Sequence, residues 1–458
     1  MKIYKAFVFA SSLFVALVAH ADFDLGTTYY EQGNFENAYK EFLEAANYGD
    51  HDAQNNIGAM YYRGEFLPKD KISGYAWMML ATQSKSHLDS GVYLKVYNKL
   101  NDEEKKSADE KYKALFNEYS DQAIQNKLTP QLSANLITVK NQRLLKIFRP
   151  AYPEELERGG KSGFADVIFT IDKNGITRDQ MVYYSAEKAF GNAALNALRR
   201  FQYEPLKVNG QAVDVAGIKM RFVFSMDGTE YNLKKLNKVV DAEREKAKTG
   251  SSKDKFSFAY FLESIPSYVK DYKLVDNPNE WYTNAANDGN NSAAYFLGRN
   301  ILYGNMCTAN SNQSMGWLLK AAKAGITEAE YLLAIESFSG AKFEKNEDKG
   351  FYWLGKAATG NKFARVKYAW ILATHPDAKY RNAKLAQELL SRIEEDYIDK
   401  QSLYQTQAAV AAETGNFDVA IKWQKKALED ATELELPATQ VEQRLASYTN
   451  NTAWREPI

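Results

Sequence analysis

A tryptophan that returns every 36 residues constrains this chain more than any other feature. Trp281, Trp317 and Trp353 share that spacing, and each is followed four residues later by an alanine pair, Ala285-Ala286, Ala321-Ala322 and Ala357-Ala358. A glycine closes each unit at Gly289, Gly325 and, one residue early, Gly360. Near the N-terminus Ala45-Ala46 with Gly49 is followed 36 residues on by Ala81, with Trp77 four before it, so five units keep one register. Trp at i and Ala at i+4 lie on one helix face, where the ring covers a small residue that admits a neighbouring helix. Glycine supplies the positive φ that stops the helix. Ile57-Gly58 with Tyr61 and Gly64, and Leu297-Gly298 with Ile301, Tyr303 and Gly304, supply the matching stripe and turn of the other helix. A hairpin of this size cannot bury its own face, so the hairpins must stack into an α-solenoid. Packing accounts for these Trp, Ala and Gly residues, and no site is assigned among them.

Between Arg149 and Phe224 the period changes. Phe164 to Ile171 places Val167, Phe169 and Ile171 on one face, Asp172-Lys173-Asn174-Gly175 reads as a hairpin turn, and Ile176 to Tyr184 reads as a second strand. Lys188 to Phe201 then sets Phe190, Ala194, Leu195, Leu198 and Phe201 at helical spacing. Beyond Pro205 and the tight turn Asn209-Gly210, Val213 to Phe224 alternates again. Val215, Gly217, Lys219, Arg221 and Val223 oppose Ala216, Ile218, Met220, Phe222 and Phe224. The order strand, strand, helix, strand predicts a small antiparallel sheet with one helix across it, an α+β unit interrupting a mainly α chain.

Composition narrows the function. The 458 residues exceed one domain, and 58 Lys+Arg against 58 Asp+Glu leave no basic field for nucleic acid. The single cysteine, Cys307, excludes a disulfide framework and a thiolate zinc site, and His20, His51, His87 and His375 are scattered without metal-ligand spacing. Neither a phosphate-cradling glycine loop nor a nucleotide-binding, zinc-protease or serine-nucleophile motif occurs. The expectation is a protein without catalytic residues, cofactor or metal, whose work is binding.

The N-terminus reads as an export signal. Lys2 and Lys5 form a basic region, Ala6 to Ala19 is uncharged and mostly apolar, and Ala19-His20-Ala21 has the small-x-small form of a signal-peptidase site, with cleavage expected after Ala21. The alternative is a retained anchor, but a helix over those 14 residues rises roughly 21 Å, short of the ~30 Å hydrocarbon core. No later apolar run of 18 residues follows, so no integral membrane segment is expected once the signal is removed. Asn101 to Lys113 reads as a solvated helix, continuing over Leu115 to Ile147 with a break at Pro130, and Lys234 to Lys255 reads as a helix end and flexible linker.

Two family resemblances emerge from these motifs. The pattern A-x-x-x-L-G-x-x-Y-x-x-G followed by W-x-x-K-A-A-x-x-G, with Trp317 to Gly325 (WLLKAAKAG) its clearest instance, resembles the Sel1-like repeat family, relatives of tetratricopeptide repeats. Gly33-Asn34-Phe35 with Ala38, and Gly415-Asn416-Phe417 with Ala420, resemble tetratricopeptide turns. This likeness implies an α-solenoid whose concave face binds peptides or proteins. The run Arg149-Pro150-Ala151-Tyr152-Pro153, Gly159-Gly160 and Gly163, the Asp172 to Gly175 turn, Ala193-Ala194, Arg199-Arg200-Phe201, Glu204-Pro205 and Asn209-Gly210 together resemble the C-terminal domain of TonB.

The second resemblance implies binding of the TonB-box segment of outer-membrane transporters by strand addition to the edge of the last strand, Val213 through Phe224. By position it assigns partner binding to Val213, Val215, Ile218, Met220 and Phe222, with Pro150, Tyr152 and Pro153 beside the groove. The chain departs from TonB in lacking a proline-rich spacer and in continuing past the domain, which puts direct coupling to an inner-membrane motor in doubt.

The expected layout is a signal peptide over 1–21, helical repeats over 22–100, a helical connector over 101–148, the TonB C-terminal-like domain over 149–225, a charged linker over 226–257 and helical repeats over 258–458. The expected function is periplasmic protein–protein interaction. Its partners are a TonB-dependent outer-membrane transporter or TonB-system protein and a second protein on the solenoid. A peptidoglycan-binding envelope scaffold and an anchored TonB-type transducer are the alternatives.

Overall fold

The computed structural model describes residues 21–132, 143–208, 210–212, 214–226, 233–269, 272–393 and 399–456. The export segment over residues 1–20 lies outside them. Contacts divide the chain into two units, Met1–Ile124 and Gln125–Ile458.

In the first unit α1 (Ala21–Glu31), α2 (Phe35–Asn47), α3 (His51–Arg63), α4 (Lys71–Ala81), α5 (Lys85–Ser90), α6 (Val92–Tyr97) and α7 (Asp102–Tyr119) follow one another, and α8 (Asp121–Leu128) contains the point of division. The tryptophan-alanine register works here as expected. Trp77 on α4 is buried with Ala45, Ala46, Ile57 and Leu80 in one core. The two helices of this hairpin touch through glycine, since a Cβ on Gly58 would lie 2.8 Å from the Gly74 carbonyl oxygen. Asp70 starts α4 by accepting the Ile72 and Ser73 amides at 2.9 and 3.1 Å, which satisfies two donors that the helix itself cannot.

The second unit begins with β1 (Leu144–Lys146), α9 (Glu154–Arg158), β2 (Gly163–Ile171), β3 (Thr177–Ser185), α10 (Lys188–Leu198), β4 (Gln202–Tyr203), β5 (Lys207–Val208), β6 (Gln211–Ala212) and β7 (Val215–Phe224). Helices then run α11 (Leu233–Thr249), α12 (Ser252–Ser264), α13 (Pro278–Asn287), α14 (Asn291–Tyr303), α15 (Ser311–Lys323) and α16 (Thr327–Ser339). The last six are α17 (Glu347–Gly360), α18 (Lys362–Thr374), α19 (Ala383–Ser391), α20 (Lys400–Glu413), α21 (Phe417–Glu433) and α22 (Thr439–Thr449). The main sheet is antiparallel in the order β3-β2-β7, the minor pairs are β1-β4 and β5-β6, and α10 covers one face. Strand alternation puts Val167, Phe169, Phe222 and Phe224 into one core with Phe190, Leu195 and Leu198 of α10. At the β2-β3 turn Asp172 Oδ1 accepts the Asn174 and Ile176 amides at 2.9 Å, while Gly175 takes φ +79°.

Three local expectations change. Residues 226–257, read from their charge as a linker, are largely the helices α11 and the start of α12. Leu236, Val240 and Ala247 form a buried stripe along α11, and a Ser251–Asp254 capping box restarts the chain after Gly250. Helix does not continue over Leu115 to Ile147: α7 ends at Tyr119, α8 ends at Leu128, and Leu144–Lys146 is strand because it pairs with β4. Gly49, Gly289 and Gly325 stop their helices with positive φ, but Gly360 remains helical. Asn361 caps the next helix directly by accepting the Phe363 and Ala364 amides, which explains the shortened unit.

Trp317 on α15 is fully buried, and its indole Nε1 donates to the Leu128 carbonyl at 2.8 Å. Trp317→Ala is expected to destabilise the chain by about 3–5 kcal/mol, read as a lowered urea midpoint.

Candidate partner-binding site

The main sheet has β7 at one edge, and among the described residues no strand pairs with its outer side. A flat, free edge offers unpaired backbone N–H and C=O groups to an extended peptide. What holds β7 in place determines whether that edge is a fixed template.

On the α10 side the sequence-derived site residues are structural in their side chains. Phe222 is buried in the α10 core, Ile218 and Met220 pack against it half-buried, and Val215 is buried opposite Ile171 of β2. Tyr152 bolts the end of β7: its ring meets Phe190 and Phe224 edge-on at 5.7 Å, and its hydroxyl donates to the Lys161 carbonyl at 2.6 Å. Pro153 is the N-cap of α9, and its carbonyl accepts the Leu156 and Glu157 amides. Pro150 is half-buried in the strand-free run before it. Val213 lies outside the described residues. The structure therefore gathers Tyr152 with the Phe224 end of β7 and turns the inner side chains of the strand into the core, leaving its backbone edge.

The opposite face carries Lys219 and Arg221, and sequence reasoning assigned them no role. Arg221 forms a two-pronged pair with Asp166 of β2, Nε to Oδ1 at 2.7 Å and Nη2 to Oδ2 at 2.8 Å, and the Tyr260 hydroxyl of α12 donates to the same carboxylate at 2.9 Å. Lys219 stands 3.2 Å from the centre of the Tyr260 ring and 3.4 Å from Glu263 Oε2. Glu263 also pairs with Arg299 of α14 and accepts the Tyr282 hydroxyl at 2.9 Å. Asp166, Lys219, Arg221, Glu263 and Arg299 are all buried, so each charge depends on these partners. Burial raises a carboxyl, but the charges of Arg299 and Lys219 outweigh it and hold Glu263 at about 2. Burial pulls Lys219 down to about 8 against the attraction of Glu263.

The same 36-residue period delivers a second set of contacts. Tyr295, Tyr331 and Lys367 are 36 residues apart and occupy α14, α16 and α18. Tyr331 donates to Asp179 of β3 at 2.7 Å, and Lys367 lies 3.7 Å from Asp214. A Cβ on Gly217 of β7, whose φ is +73°, would lie 3.5 Å from the Tyr295 hydroxyl and 3.4 Å from Arg299 Cδ. Farther along, Arg178 pairs with Asp399, Arg199 pairs with Asp430 at 2.7 and 2.9 Å, and Lys173 pairs with Glu456 at 3.1 Å. Contacts from α12 to the C-terminal tail thus hold the chain's own α+β domain against the repeats. The signal was present in the sequence as a second phase of the repeat.

Among the described residues no group of His, Cys, Asp and Glu could hold a metal, and no helix is long and apolar enough to cross a membrane. Cys307 is buried, which pushes its thiol up to about 12.

Residues 149–226 match the family described as Gram-negative bacterial TonB protein C-terminal, and residues 51–84, 291–326 and 327–362 match the Sel1 repeat. The chain combines a TonB C-terminal-type domain with Sel1 repeats. The first family is associated with the cell envelope, and repeats of the second kind are protein-interaction scaffolds. Among solved structures, a Sel1 repeat protein from Oxalobacter formigenes is 14% identical with a TM-score of 0.34, over 93% of this chain and 85% of that one. The protective antigen c5321 of uropathogenic Escherichia coli is 16% identical with a TM-score of 0.30, over 94% and 84%. Yeast Tom70 is 15% identical with a TM-score of 0.26, over 94% and 87%. No curated relative matches the chain.

Glu263→Gln tests the buried network that joins the TonB C-terminal-type domain to α12 and α14. Because its folded pKa of about 2 is below the ordinary 4.5, Glu263 contributes stability that is present above pH 4.5 and lost as pH falls towards 2. The variant is expected to lose about 3–5 kcal/mol at pH 7 and to show a shallower decline across that acid window, measured by urea unfolding at a series of pH values.

Proposed function

We propose that this chain is a non-enzymatic protein-interaction protein of the periplasm, accessory to TonB-dependent outer-membrane transport. In this reading export ends with cleavage after Ala21, and residues 149–225 act as the binding domain between helical repeats over 22–100 and 258–458. The edge of β7 takes a TonB-box-like segment of an outer-membrane transporter or TonB-system protein by strand addition.

One observation carries the reading: β7 is clamped on both faces, by the α10 core and by the buried charges of α12 and α14, while among the described residues no strand occupies its outer edge. A clamped strand loses little further freedom when a peptide pairs with it, so less of the backbone hydrogen-bond energy is offset by ordering. Since Ile218, Met220 and Phe222 face the domain core, affinity comes from the backbone of β7, and Tyr152 borders its Phe224 end. The faces of α12, α14, α16 and α18 that meet the domain are occupied, so the second protein docks on other surfaces of the repeats.

The test uses the chain from Asp22 onward and a fluorescent TonB-box heptapeptide, followed by anisotropy. Saturable binding is expected, with at least a ten-fold loss when alternate peptide amides are N-methylated in one phase and little change in the other. Equal effects in both phases exclude strand addition, and absence of binding excludes the TonB-box reading. Mass spectrometry of the exported protein is expected to find Asp22 as its first residue.

A further inference from the structure

The first unit holds a cavity of about 380 Å³ among α3, α4 and α6, with Tyr30 of α1 at its margin. This lies within the range of about 300–1,000 Å³ typical of small-molecule pockets. Its apolar part is Ala59, Met78, Val92 and Val96, of which Met78 and Val96 are buried in a small core with Tyr75 and Leu100. Its polar part carries Arg63, Lys95 and Lys99 with the carboxamides of Asn55 and Asn56, and no Asp or Glu lines it. Asn55, Ala59 and Arg63 stand four residues apart on α3, and the pairs Val92 and Val96, Lys95 and Lys99 keep the same spacing along and just beyond α6, so each wall follows one helical face. All of these residues belong to the first unit, and the site is independent of the strand-addition reading.

The donors of this cavity are reachable and mostly unspent. Lys95 is exposed and has neither a hydrogen-bond nor an ion-pair partner among the described residues. Lys99 is exposed too, and its Nζ donates to the Tyr62 hydroxyl at 3.0 Å without a carboxylate in ion-pair range among the described residues. That bond, with the charges of Lys99, Lys69 and Lys71, draws the Tyr62 hydroxyl below its ordinary 10. Since the hydroxyl accepts from Lys99, its own proton remains available to a ligand. Arg63 is partly engaged: its Nη1 donates to the Tyr30 hydroxyl at 2.6 Å and lies 3.7 Å from Glu65, while its Nε and Nη2 have no partner among the described residues. The half-buried Asn55 and Asn56 make no side-chain hydrogen bond among the described residues. Like charges gathered without a counter-charge disfavour one another, and an anion between them relieves this.

We propose that this cavity binds a phosphate ester with an aliphatic body. A cation or a zwitterion finds no acidic partner among the lining residues. An uncharged apolar ligand leaves the ammonium groups unmet, and inorganic phosphate leaves Met78 and Val96 uncovered. The ester answers both parts. Its phosphate, with more acceptor oxygens than a carboxylate, takes charge-assisted bonds from Lys95, Lys99 and Arg63 and further bonds from the Asn55 and Asn56 amides. Its aliphatic body lies on Ala59, Met78, Val92 and Val96. A free alkyl phosphate and the headgroup of a phospholipid present this same chemistry.

Isothermal titration calorimetry of the chain from Asp22 onward with n-hexyl phosphate tests this, with n-hexanol and inorganic phosphate as the two half-ligands. Hexyl phosphate is expected to bind saturably, and each half-ligand at least ten-fold more weakly. Lys95→Met, at an exposed position without a partner to lose, is expected to weaken hexyl phosphate at least five-fold, and Lys95→Arg to keep it. Ala59→Phe, which fills the apolar part, is expected to abolish binding. The variants are checked for an unchanged melting curve, and if Ala59→Phe does not fold, Lys95→Met decides. Flotation with phosphatidylglycerol vesicles separates the two sources: flotation lost in Lys95→Met assigns a lipid headgroup, and hexyl phosphate binding without flotation assigns a free ester. Absence of saturable hexyl phosphate binding, equal binding of hexanol or inorganic phosphate, or unaltered binding by folded Lys95→Met or Ala59→Phe overturns the assignment.

Discussion

The pairing of buried charges between the α+β sheet and the first helices of the repeats is the constraint on which the second unit depends. Asp166, Arg221, Lys219, Glu263 and Arg299 come from two strands and two helices, and none keeps appreciable contact with water. An isolated charge in such surroundings is strongly unfavourable, whereas a fully partnered set is tolerable. The gain over an apolar contact of equal area is therefore specificity more than stability. The placement of the domain against α12 and α14 pairs Arg221 with Asp166 and sets Lys219 and Arg299 against Glu263, with the hydroxyls of Tyr260 and Tyr282 donating to the two carboxylates.

From that placement the functional geometry follows. Clamping the Lys219–Arg221 face leaves β7 with a packed helix on one side, packed repeats on the other and, among the described residues, no strand on the edge between. Successive helices extend the grip towards the C-terminus through Tyr331, Lys367, Asp399, Asp430 and Glu456. Where the turn at Asp172 diverges from α16 and α18, the packing opens into a cavity in which basic and acidic side chains meet. Edge and cavity are two consequences of one docking.

The chain uses its 36-residue period twice. In one phase Trp77, Trp317 and Trp353 with their alanines form the hairpin cores. In the other, Tyr295, Tyr331 and Lys367 point at the embedded domain. The first phase is readable because Trp, Ala and Gly each have a strong packing meaning at fixed spacing. The second is a Tyr-Tyr-Lys series whose meaning depends on residues 217, 179 and 214, which lie far off in sequence.

Local chemistry in the sequence determined the hairpins, the strand, strand, helix, strand order, the Asp172 to Gly175 turn and the identity of β7 as the last strand, because periodicity and turn residues act over a few positions. The resemblance to the TonB domain, rather than local chemistry, placed Pro150, Tyr152 and Pro153 beside the groove; in the structure the Tyr152 hydroxyl donates to the Lys161 carbonyl and Pro153 is the N-cap of α9. Local chemistry misjudged α11, since abundant charge conceals a stripe as sparse as Leu236, Val240 and Ala247. Tertiary structure alone decided that the repeats embrace the domain, that Lys219 and Arg221 lock it there, and that a cavity lined by Arg444 and Trp370 remains. Those outcomes rest on Coulomb and desolvation energies between groups separated in the chain by 44 residues for Lys219 and Glu263 and by 283 for Lys173 and Glu456, and no local pattern encodes such pairs.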